Sequence, residues 1–416
     1  MNPIQMVVPL FAGLIQFGEM VNLRRRRFPV GLVGVLAGLV AGLGSVLGAT
    51  YTITNLGTLG GNGSIAFGIN AEGTVVGGSL PAGGLPDEAF RYQDGVMTGL
   101  GTLPGATTSW ALGINKEGVI VGHSYFPEFQ AFIFQAFRYS GNSMVNLGTL
   151  GGRGSSAFGL NDAGWIVGSS ELESGETRAF LYRDGVMTNL GTLGGDFSSA
   201  YSISASGVVV GESRNAEGLQ RAFRFDGTLL DLGTLGGPRS AAYGINASNV
   251  IVGGASLASG SFHAFRYDGA LHDLGTLGGS VSAANAINSA GVIVGNSTLP
   301  GGMIRHAFIY DGVLRDLNDL IPPGSGWILN TATGINERGQ IVGQGEINGQ
   351  LRGFLLTPNL VVRYTVRPDG SLEITSDGFL YESATLSGIY IGLGVKSVIV
   401  APGAIAGSRF YQARES

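Results

Sequence analysis

Leu56-Gly57-Thr58-Leu59 is the tetrad that decides the fold, because copies of it recur at intervals of 42 to 47 residues. Full copies follow in five further places, and a degenerate copy starts at Leu317. The full copies begin at Leu100, Leu147, Leu190, Leu232 and Leu274. A fixed period of this length identifies a repeat protein in which each unit is one supersecondary structure.

Each tetrad opens a unit that contains four short segments in a constant order. In the first unit these segments cover residues 64–70, 74–79, 89–92 and 96–103. They are alternating, β-branched or aromatic, and turn residues separate them, which is typical of strands. Asp94-Gly95 lies between the last two segments, and Asp-Gly is a strong signal for a tight hairpin. Four antiparallel strands in about 40 to 50 residues predict one blade of a β-propeller.

The units are out of phase with the ends of the repeat region. The seventh unit has three strand-like segments and then reaches Pro358 without a fourth, whereas Tyr51 to Leu59 is a fourth segment with no preceding three. We therefore predict an all-β fold, a seven-bladed β-propeller closed by the N-terminal strand, because such closure removes free sheet edges. A straight β-solenoid is the alternative, although its coils are usually shorter.

The first segment of each unit is rich in small residues, and its third position is alanine in every copy. These alanines are Ala66, Ala111, Ala157, Ala200, Ala242, Ala284 and Ala332. We predict that this segment is the innermost strand, with larger neighbours such as Phe67, Phe158 and Tyr201 pointing between blades. The segment carries no charged residue or histidine in any copy. Because acid–base catalysis at the axis would need titratable groups, we expect a non-enzymatic protein.

Composition excludes several classes of site. The chain has 416 residues, 13% of them charged, a formal net charge of −5 and no cysteine. Nucleic-acid binding needs a basic face, and disulfides, Cys-ligated metals and a cysteine nucleophile need cysteine. The four histidines, His123, His263, His272 and His306, lie in different units without a common ligand spacing. We expect them to face solvent, with no metal site and no cofactor.

The first 49 residues have the layout of an export signal. Arg24 to Arg27 precede an uncharged stretch, residues 28–49, that ends in small residues. This is the layout of a secretory signal peptide, and translation from Met20 would keep it. The arginines are also compatible with a twin-arginine signal, and an uncleaved anchor is the alternative. We expect a secreted, extracellular or cell-surface protein with no membrane span after cleavage.

The loops between the second and third strands differ in every unit, and variable loops on a rigid scaffold are where binding usually occurs. The second unit has the longest, residues 125–135, which is rich in aromatic residues. Tyr125, Phe126, Phe129 and Phe132 are the candidate binding residues for a carbohydrate or a protein. The alternative is that this segment folds back over the disc or extends the hairpin.

A polar residue precedes Ala-Phe, or its counterpart Gly-Phe, in every unit. These residues are Glu88, Gln135, Arg178, Arg221, His263, His306 and Arg352. By symmetry they form a ring that either binds an anion or is simply solvated. The repeat resembles the HAF family of extracellular repeat proteins, with His-Ala-Phe at residues 263–265 and 306–308. The resemblance covers about residues 51–357, and it implies export without any catalytic residue.

The predicted organisation is a signal peptide at residues 1–49, the propeller at 50–358 and a small β module at 359–416. The module would serve surface attachment or sorting, or would cap the propeller. We expect a monomeric binding scaffold that acts through its variable-loop face. The alternatives are an extracellular hydrolase or lyase with its site on the same face, and a purely structural envelope protein.

Overall fold

The computed structural model describes residues 51–84, 87–128 and 131–359, together with the backbone of six strands beyond residue 359. Within these ranges the chain is built from strands and tight turns, with one short 3₁₀ helix at Leu317–Leu320. None of the described segments is a helix of the length and hydrophobicity that crossing a bilayer requires. The signal peptide expected at residues 1–49 lies outside the described residues.

Six four-stranded antiparallel sheets follow one another from residue 60. Sheet 1 comprises Gly60–Ile69, Val75–Pro81, Glu88–Gln93 and Val96–Gly99. Sheet 2 comprises Thr108–Ile114, Ile120–Glu128, Ala131–Ser140 and Ser143–Asn146. Sheet 3 comprises Gly151–Leu160, Ile166–Leu172, Thr177–Arg183 and Val186–Asn189. Sheet 4 comprises Gly194–Ile203, Val209–Asn215, Gln220–Phe225 and Leu229–Asp231. Sheet 5 comprises Gly236–Ile245, Ile251–Leu257, Phe262–Tyr267 and Leu271–Gly275. Sheet 6 comprises Ser282–Ile287, Ile293–Thr298, Arg305–Tyr310 and Leu314–Asp316.

Sheet 7 takes its strands from both ends of the repeat region. It comprises Trp327–Ile335, Ile341–Ile347, Gln350–Pro358 and, at its edge, Tyr51–Asn55. The N-terminal strand pairs antiparallel with the third strand, from Tyr51 opposite Pro358 to Asn55 opposite Phe354. This strand is shorter than predicted because the Asn55 side chain accepts a hydrogen bond from the Gly57 backbone N–H at 2.9 Å, which begins a turn.

The strand order places all tight turns on one face and all variable loops on the other. The first-to-second and third-to-fourth connections share one face, which we call the turn face. The second-to-third loops and the Leu-Gly-Thr-Leu crossovers share the opposite face, which we call the loop face. A single parallel bridge between Thr177 and Phe197 joins sheets 3 and 4 near the loop face.

Hydrophobic clusters pack between consecutive sheets. Ala89 of sheet 1 packs with Phe137 of sheet 2, and equivalent clusters join each following pair. A further cluster packs Val342 of sheet 7 against Phe90 of sheet 1. Burial of a phenylalanine side chain contributes about 1.5 to 3 kcal/mol. The seven clusters therefore stabilise every junction between sheets, including the junction between the last sheet and the first.

The phenylalanine of each third strand explains the glycine of the Val-Val-Gly segment. Phe90 is fully buried and lies across the backbone of Gly77. A Cβ built on Gly77 would stand 2.7 Å from Cε1 of Phe90 and 2.0 Å from the carbonyl oxygen of Ile65. Any larger residue would displace either the aromatic ring or the inner strand, so the motif needs glycine for close packing.

Buried serines make backbone hydrogen bonds across six of the seven junctions between sheets. Ser109 Oγ accepts from the Ala89 N–H at 2.9 Å and donates to the Gly101 carbonyl at 2.6 Å. The same pair of bonds recurs at six positions: Ser64, Ser109, Ser155, Ser198, Ser240 and Ser282. Ser64 accepts from Gly353 of sheet 7 at 3.0 Å, so the pattern includes the first and last sheets.

The first strands surround one central cavity. Its volume is about 180 Å³, and it is lined by first-strand residues of all seven sheets, which agrees with the prediction that these strands are innermost. Phe158, Tyr201 and Tyr243 are among the residues that line this cavity. Their rings also contact one another across neighbouring sheets, with centroids 5.4 Å apart for Phe158 and Tyr201 and 5.8 Å apart for Tyr201 and Tyr243, which fits the expectation that such residues point between neighbouring units.

The inner strands also begin earlier than predicted. Gly151–Leu160 contains Arg153, Gly194–Ile203 contains Asp196, and Gly236–Ile245 contains Arg239. The expectation that these strands carry no charged residue was therefore wrong, because in sheets 1, 3, 4 and 5 the glycine pair after the tetrad already belongs to the strand.

Strands beyond residue 359 form two further sheets. One comprises Val362–Val366, Leu372–Ser376 and Ser397–Val400. The other comprises Ile391–Gly392, Phe379–Ser383 and Phe410–Arg414. These strands belong to a compact unit separate from Ala49–Pro358.

Candidate functional site

The aromatic segment of the second unit extends the hairpin of sheet 2. Ile120–Glu128 pairs with Ala131–Ser140 along its whole length, with Tyr125 opposite Phe134 and Phe126 opposite Ile133. Of the three arrangements considered for this segment, a protruding loop, a segment folded back over the disc and an extended hairpin, the extended hairpin is the one observed.

The hairpin places the four predicted binding residues differently. The Tyr125 ring lies 5.6 Å from the ring of Phe134. Phe126 points to the opposite face of the sheet and packs against the cluster between sheets 1 and 2. Its assignment to an exposed patch was wrong, because successive side chains of a strand alternate between faces. Phe129 lies outside the described residues, and of Phe132 only the strand position is described.

A row of aromatic rings runs across sheets 1 and 2 near the loop face. We call it the aromatic row; it consists of Phe67, Trp110, His123, Phe134 and Tyr125. Successive ring centroids are 6.1, 5.9, 4.7 and 5.6 Å apart. Trp110 and Phe134 are each 37% exposed. The row therefore offers aromatic surface to a ligand, and the sequence pattern missed Trp110 and His123 because only strand register places them opposite each other.

The Trp110 side chain has a defined support. Gly78 lies against its pyrrole ring, since a Cβ built on Gly78 would stand 3.1 Å from Cδ1 of Trp110. The indole N–H donates to Oδ2 of Asp87 at 3.2 Å. Backbone on one side and a carboxylate at the edge hold the ring in place, which is the pre-organisation that favours binding.

His123 occupies the middle of the row without a polar partner. Its Nδ1 atom is buried and has no hydrogen-bond partner among the described residues. Burial lowers the pKa of His123 to about 4, so the imidazole is neutral near pH 7. An uncharged ring of this kind packs as an aromatic residue between Trp110 and Phe134.

The other histidines have carboxylate neighbours. His263 Nδ1 lies 3.0 Å from Asp273, and His306 Nδ1 lies 2.5 Å from Asp316. Both side chains are mostly buried, whereas His272 is exposed. The expectation of solvent-facing histidines therefore holds for His272 alone. Within the described ranges, no three His, Asp or Glu side chains are grouped closely enough to hold a metal ion.

The polar residues that precede Ala-Phe or Gly-Phe are engaged with the protein. Arg178 donates to the Asp196 carbonyl at 2.6 Å, and Gln135 donates to the Arg153 carbonyl at 3.0 Å. Arg221 and Arg352 make the equivalent contact to the next sheet. In these four sheets the bonds tie the third strand to the first strand of the next sheet, which is a structural role for four members of the ring.

A carboxylate lies beside the central cavity. Oε1 of Glu212 accepts from the Tyr201 hydroxyl at 2.8 Å, and its Oε2 accepts from the Gln220 amide. Burial and then the Glu212 charge raise the pKa of Tyr243 to about 12 and also raise that of Tyr201. Both phenols are therefore protonated near neutral pH, and both oxygens of Glu212 are occupied.

Apolar and charged side chains are segregated on the loop face. Besides Trp110 and Phe134, the exposed apolar residues near this face belong to sheet 7 and to the loop between the second and third strands of sheet 6. They are Met303, Ile304, Ile328 and Leu351. Sheets 3 and 4 instead carry ion pairs there, such as Arg214 with Asp196 at 3.1 Å.

No protein-family model matches this chain, and no curated protein matches it. TolB from Acinetobacter baumannii is a similar solved structure, at 14% identity and a TM-score of 0.35 over 57% of this chain and 63% of TolB, less than two thirds of that protein's length. The β-propeller domain of the Trilobed protease from Pyrococcus furiosus matches at 12% identity and a TM-score of 0.44, over 71% of this chain and 96% of that domain. The six-bladed fungal lectin from Aleuria aurantia matches at 13% identity and a TM-score of 0.30, over 86% of this chain and 98% of the lectin.

Proposed function

We propose that residues 51–358 form a closed seven-bladed β-propeller, with sheets 1 to 7 as its blades and Tyr51–Asn55 as the closing strand. The pairing of this strand with Gln350–Pro358 supports closure. The cluster between sheets 7 and 1 supports it as well, as does a cavity lined by all seven first strands. We further propose that the chain is an exported repeat protein of the HAF type.

The function that this scaffold supports best is non-enzymatic binding of a protein or a glycan at the loop face. The aromatic row carries the proposal, because Trp110 and Phe134 keep 37% of their surface exposed although both are braced by neighbours. Exposed and pre-positioned aromatic residues dominate many binding interfaces. Met303, Ile304, Ile328 and Leu351 are further exposed apolar residues on this face, in the loop of sheet 6 and in sheet 7.

A hydrolase or lyase is less well supported. Glu212 is bonded to Tyr201, which lines the cavity, and each of its two oxygens accepts a hydrogen bond from the protein, from Tyr201 and from Gln220. A general acid or base needs a free position within reach of its substrate. A purely structural envelope protein would not need two exposed rings held in fixed positions, so binding remains the proposal.

Arrays of glycans and of extracellular proteins, probed with the purified chain, test this function. For any ligand found, the double variant Trp110→Ala/Phe134→Ala should weaken binding at least about tenfold, as loss of interface hot spots does. The double variant Val145→Ala/Val186→Ala is the matched control, because these valines are 54% and 62% exposed on outer strands. Equal affinity of the wild type and the Trp110→Ala/Phe134→Ala variant would overturn the proposal.

A further inference from the structure

The surroundings of Trp110 offer several aromatic faces and one carboxylate. The indole N–H is already bound to Asp87, and Asp87 forms no ion pair within the described residues. His123 is neutral because burial lowers its pKa to about 4, so it does not repel a cation. Aromatic faces beside an unpaired carboxylate produce a local negative potential.

Elsewhere the chain places its own cations over aromatic rings. The guanidinium of Arg183 lies 4.8 Å from the ring centroid of Trp165, and that of Arg214 lies 5.8 Å from the ring of Phe197. In the part of the chain that is described, neither Trp110 nor Phe134 has such a cation. The exposed indole of Trp110 and the carboxylate of Asp87 therefore lie side by side, and a cation from outside the protein could contact both.

We propose that the aromatic row binds an alkylated ammonium group. Trp110 and Phe134 supply the aromatic faces, and Asp87 supplies the opposite charge. This inference rests on the proposed binding function and specifies one chemical group of its ligand. Ligands that carry quaternary ammonium groups are recognised in this way by aromatic side chains.

The same chemistry disfavours other ligands. A neutral sugar carries no charge, so the Asp87 carboxylate would offer it ordinary hydrogen bonds alone. An anionic ligand would be repelled by Asp87 and by Glu88, the next residue in the chain. A cation–π contact contributes about 0.5 to 2 kcal/mol. With the carboxylate added, an isolated ammonium group should bind with a Kd on the order of millimolar.

Tryptophan fluorescence of the full chain, titrated with choline chloride at constant ionic strength, tests the proposal. We expect a saturable change with a Kd on the order of millimolar. The uncharged isostere 3,3-dimethyl-1-butanol should bind at least about tenfold more weakly, because it lacks the charge that the ring faces attract. A chain that binds the isostere as well as choline would contradict the proposal.

Two variants and one control locate the site. Asp87→Asn keeps the size and an acceptor but removes the charge, and it should raise the Kd about fivefold. Trp110→Phe should weaken binding and remove most of the fluorescence response. Trp165→Phe is the control, because Arg183 already covers that ring, and its Kd should not change. No saturation by about 100 mM choline, or an unchanged Kd in Asp87→Asn, would overturn the proposal.

Further measurements distinguish a lipid headgroup from a soluble cation as the source of the ammonium group. They also distinguish failure of the ammonium site from failure of the proposed binding function. Sedimentation with phosphatidylcholine vesicles, reversed by choline, would assign a lipid headgroup, whereas choline binding without sedimentation would assign a soluble cation. A glycan or protein ligand that requires Trp110 but is not displaced by choline would overturn the ammonium site and leave the binding function intact. Choline binding without any ligand on the arrays would support this site and count against a protein or glycan ligand.

Discussion

The side-chain amide of Asn336 donates to the carbonyl oxygen of Asn70 at 3.0 Å, across a separation of 266 residues. It belongs to a set of bonds on the turn face, in which an asparagine of one sheet donates to the equivalent residue of the next. The donors are Asn70, Asn115, Asn161, Asn246, Asn288 and Asn336, at 3.0 to 3.3 Å. The bond between Asn336 and Asn70 thus joins the last sheet to the first in the same way as the other bonds join consecutive sheets.

Sheet 4 interrupts this pattern, because Ser204 replaces the asparagine there. Its hydroxyl accepts from the Val208 N–H at 3.1 Å, as an asparagine would, but has no amide to donate to Asn246. Ser204→Asn should therefore add one bond and stabilise the chain by about 1 kcal/mol, seen as a higher thermal midpoint. Asn288→Ser should have the opposite effect. A midpoint lowered by Ser204→Asn would show that the gap is not simply a missing bond.

The serine bridges between sheets are predicted to contribute measurably to stability. Ser282→Ala would leave the buried N–H of Ala264 and the carbonyl of Gly275 without their partner. The expected loss is about 1 to 3 kcal/mol, the usual effect of unsatisfied buried groups. Ser280→Ala is the control, because Ser280 is exposed in the same segment. Denaturant unfolding should separate the two variants, and equal midpoints would contradict the role of the bridge.

His123 should make stability depend on pH in the acid range. Its pKa falls from 6.5 in the unfolded chain to about 4 in the fold, so between these values the unfolded chain binds the extra proton. Stability should therefore decrease as pH falls through this range, by up to about 3 kcal/mol, and be unaffected by His123 above about pH 7. His123→Phe should flatten this part of the profile, and His272→Gln should retain it. An equally steep profile in His123→Phe would exclude His123 as the cause.

Phe126 and Phe134 should separate stability from binding. Phe126 packs into the cluster between sheets 1 and 2, so Phe126→Ala should destabilise the chain by about 2 kcal/mol while leaving ligand affinity unchanged. Phe134 is 37% exposed, so Phe134→Ala should lower ligand affinity and leave the stability of the chain nearly unchanged. Thermal melts and binding curves of both variants check this, and a loss of affinity in Phe126→Ala at unchanged stability would contradict the placement.

Repetition made most of the scaffold predictable from sequence. The recurring Ala66 position gave the inner strand, Asp94-Gly95 gave the hairpin, and the unpaired segment at Tyr51 gave the partner of Gln350–Pro358. The alanine recurs in all seven units and Asp-Gly in five of them, so one correct interpretation of a unit serves the others and also shows which strand is missing from the last. The β module beyond residue 359 has no such repeat, and only the approximate positions of its strands could be inferred.

The candidate site was harder to predict because it depends on register between strands and sheets. Trp110 meets His123 through the register of two paired strands of sheet 2, and it meets Asp87 only when sheets 1 and 2 pack together. Phe126 was misplaced because hairpin extension and a free loop have the same composition, and only the pairing decides which face a side chain takes. The residues of the candidate site differ from their counterparts in the other units, so the repeat pattern did not predict their role.

Closure of the ring is the central claim, and removal of the closing strand tests it most directly. A chain that begins at Leu56 should lose the pairing with Gln350–Pro358 and the burial of Tyr51 in the cluster between sheets 6 and 7. Compared with a chain that begins at Tyr51, its thermal unfolding should move at least about 10 °C lower, since several backbone hydrogen bonds and a buried aromatic residue are lost together. Superimposable melts of the two chains would contradict the closed propeller.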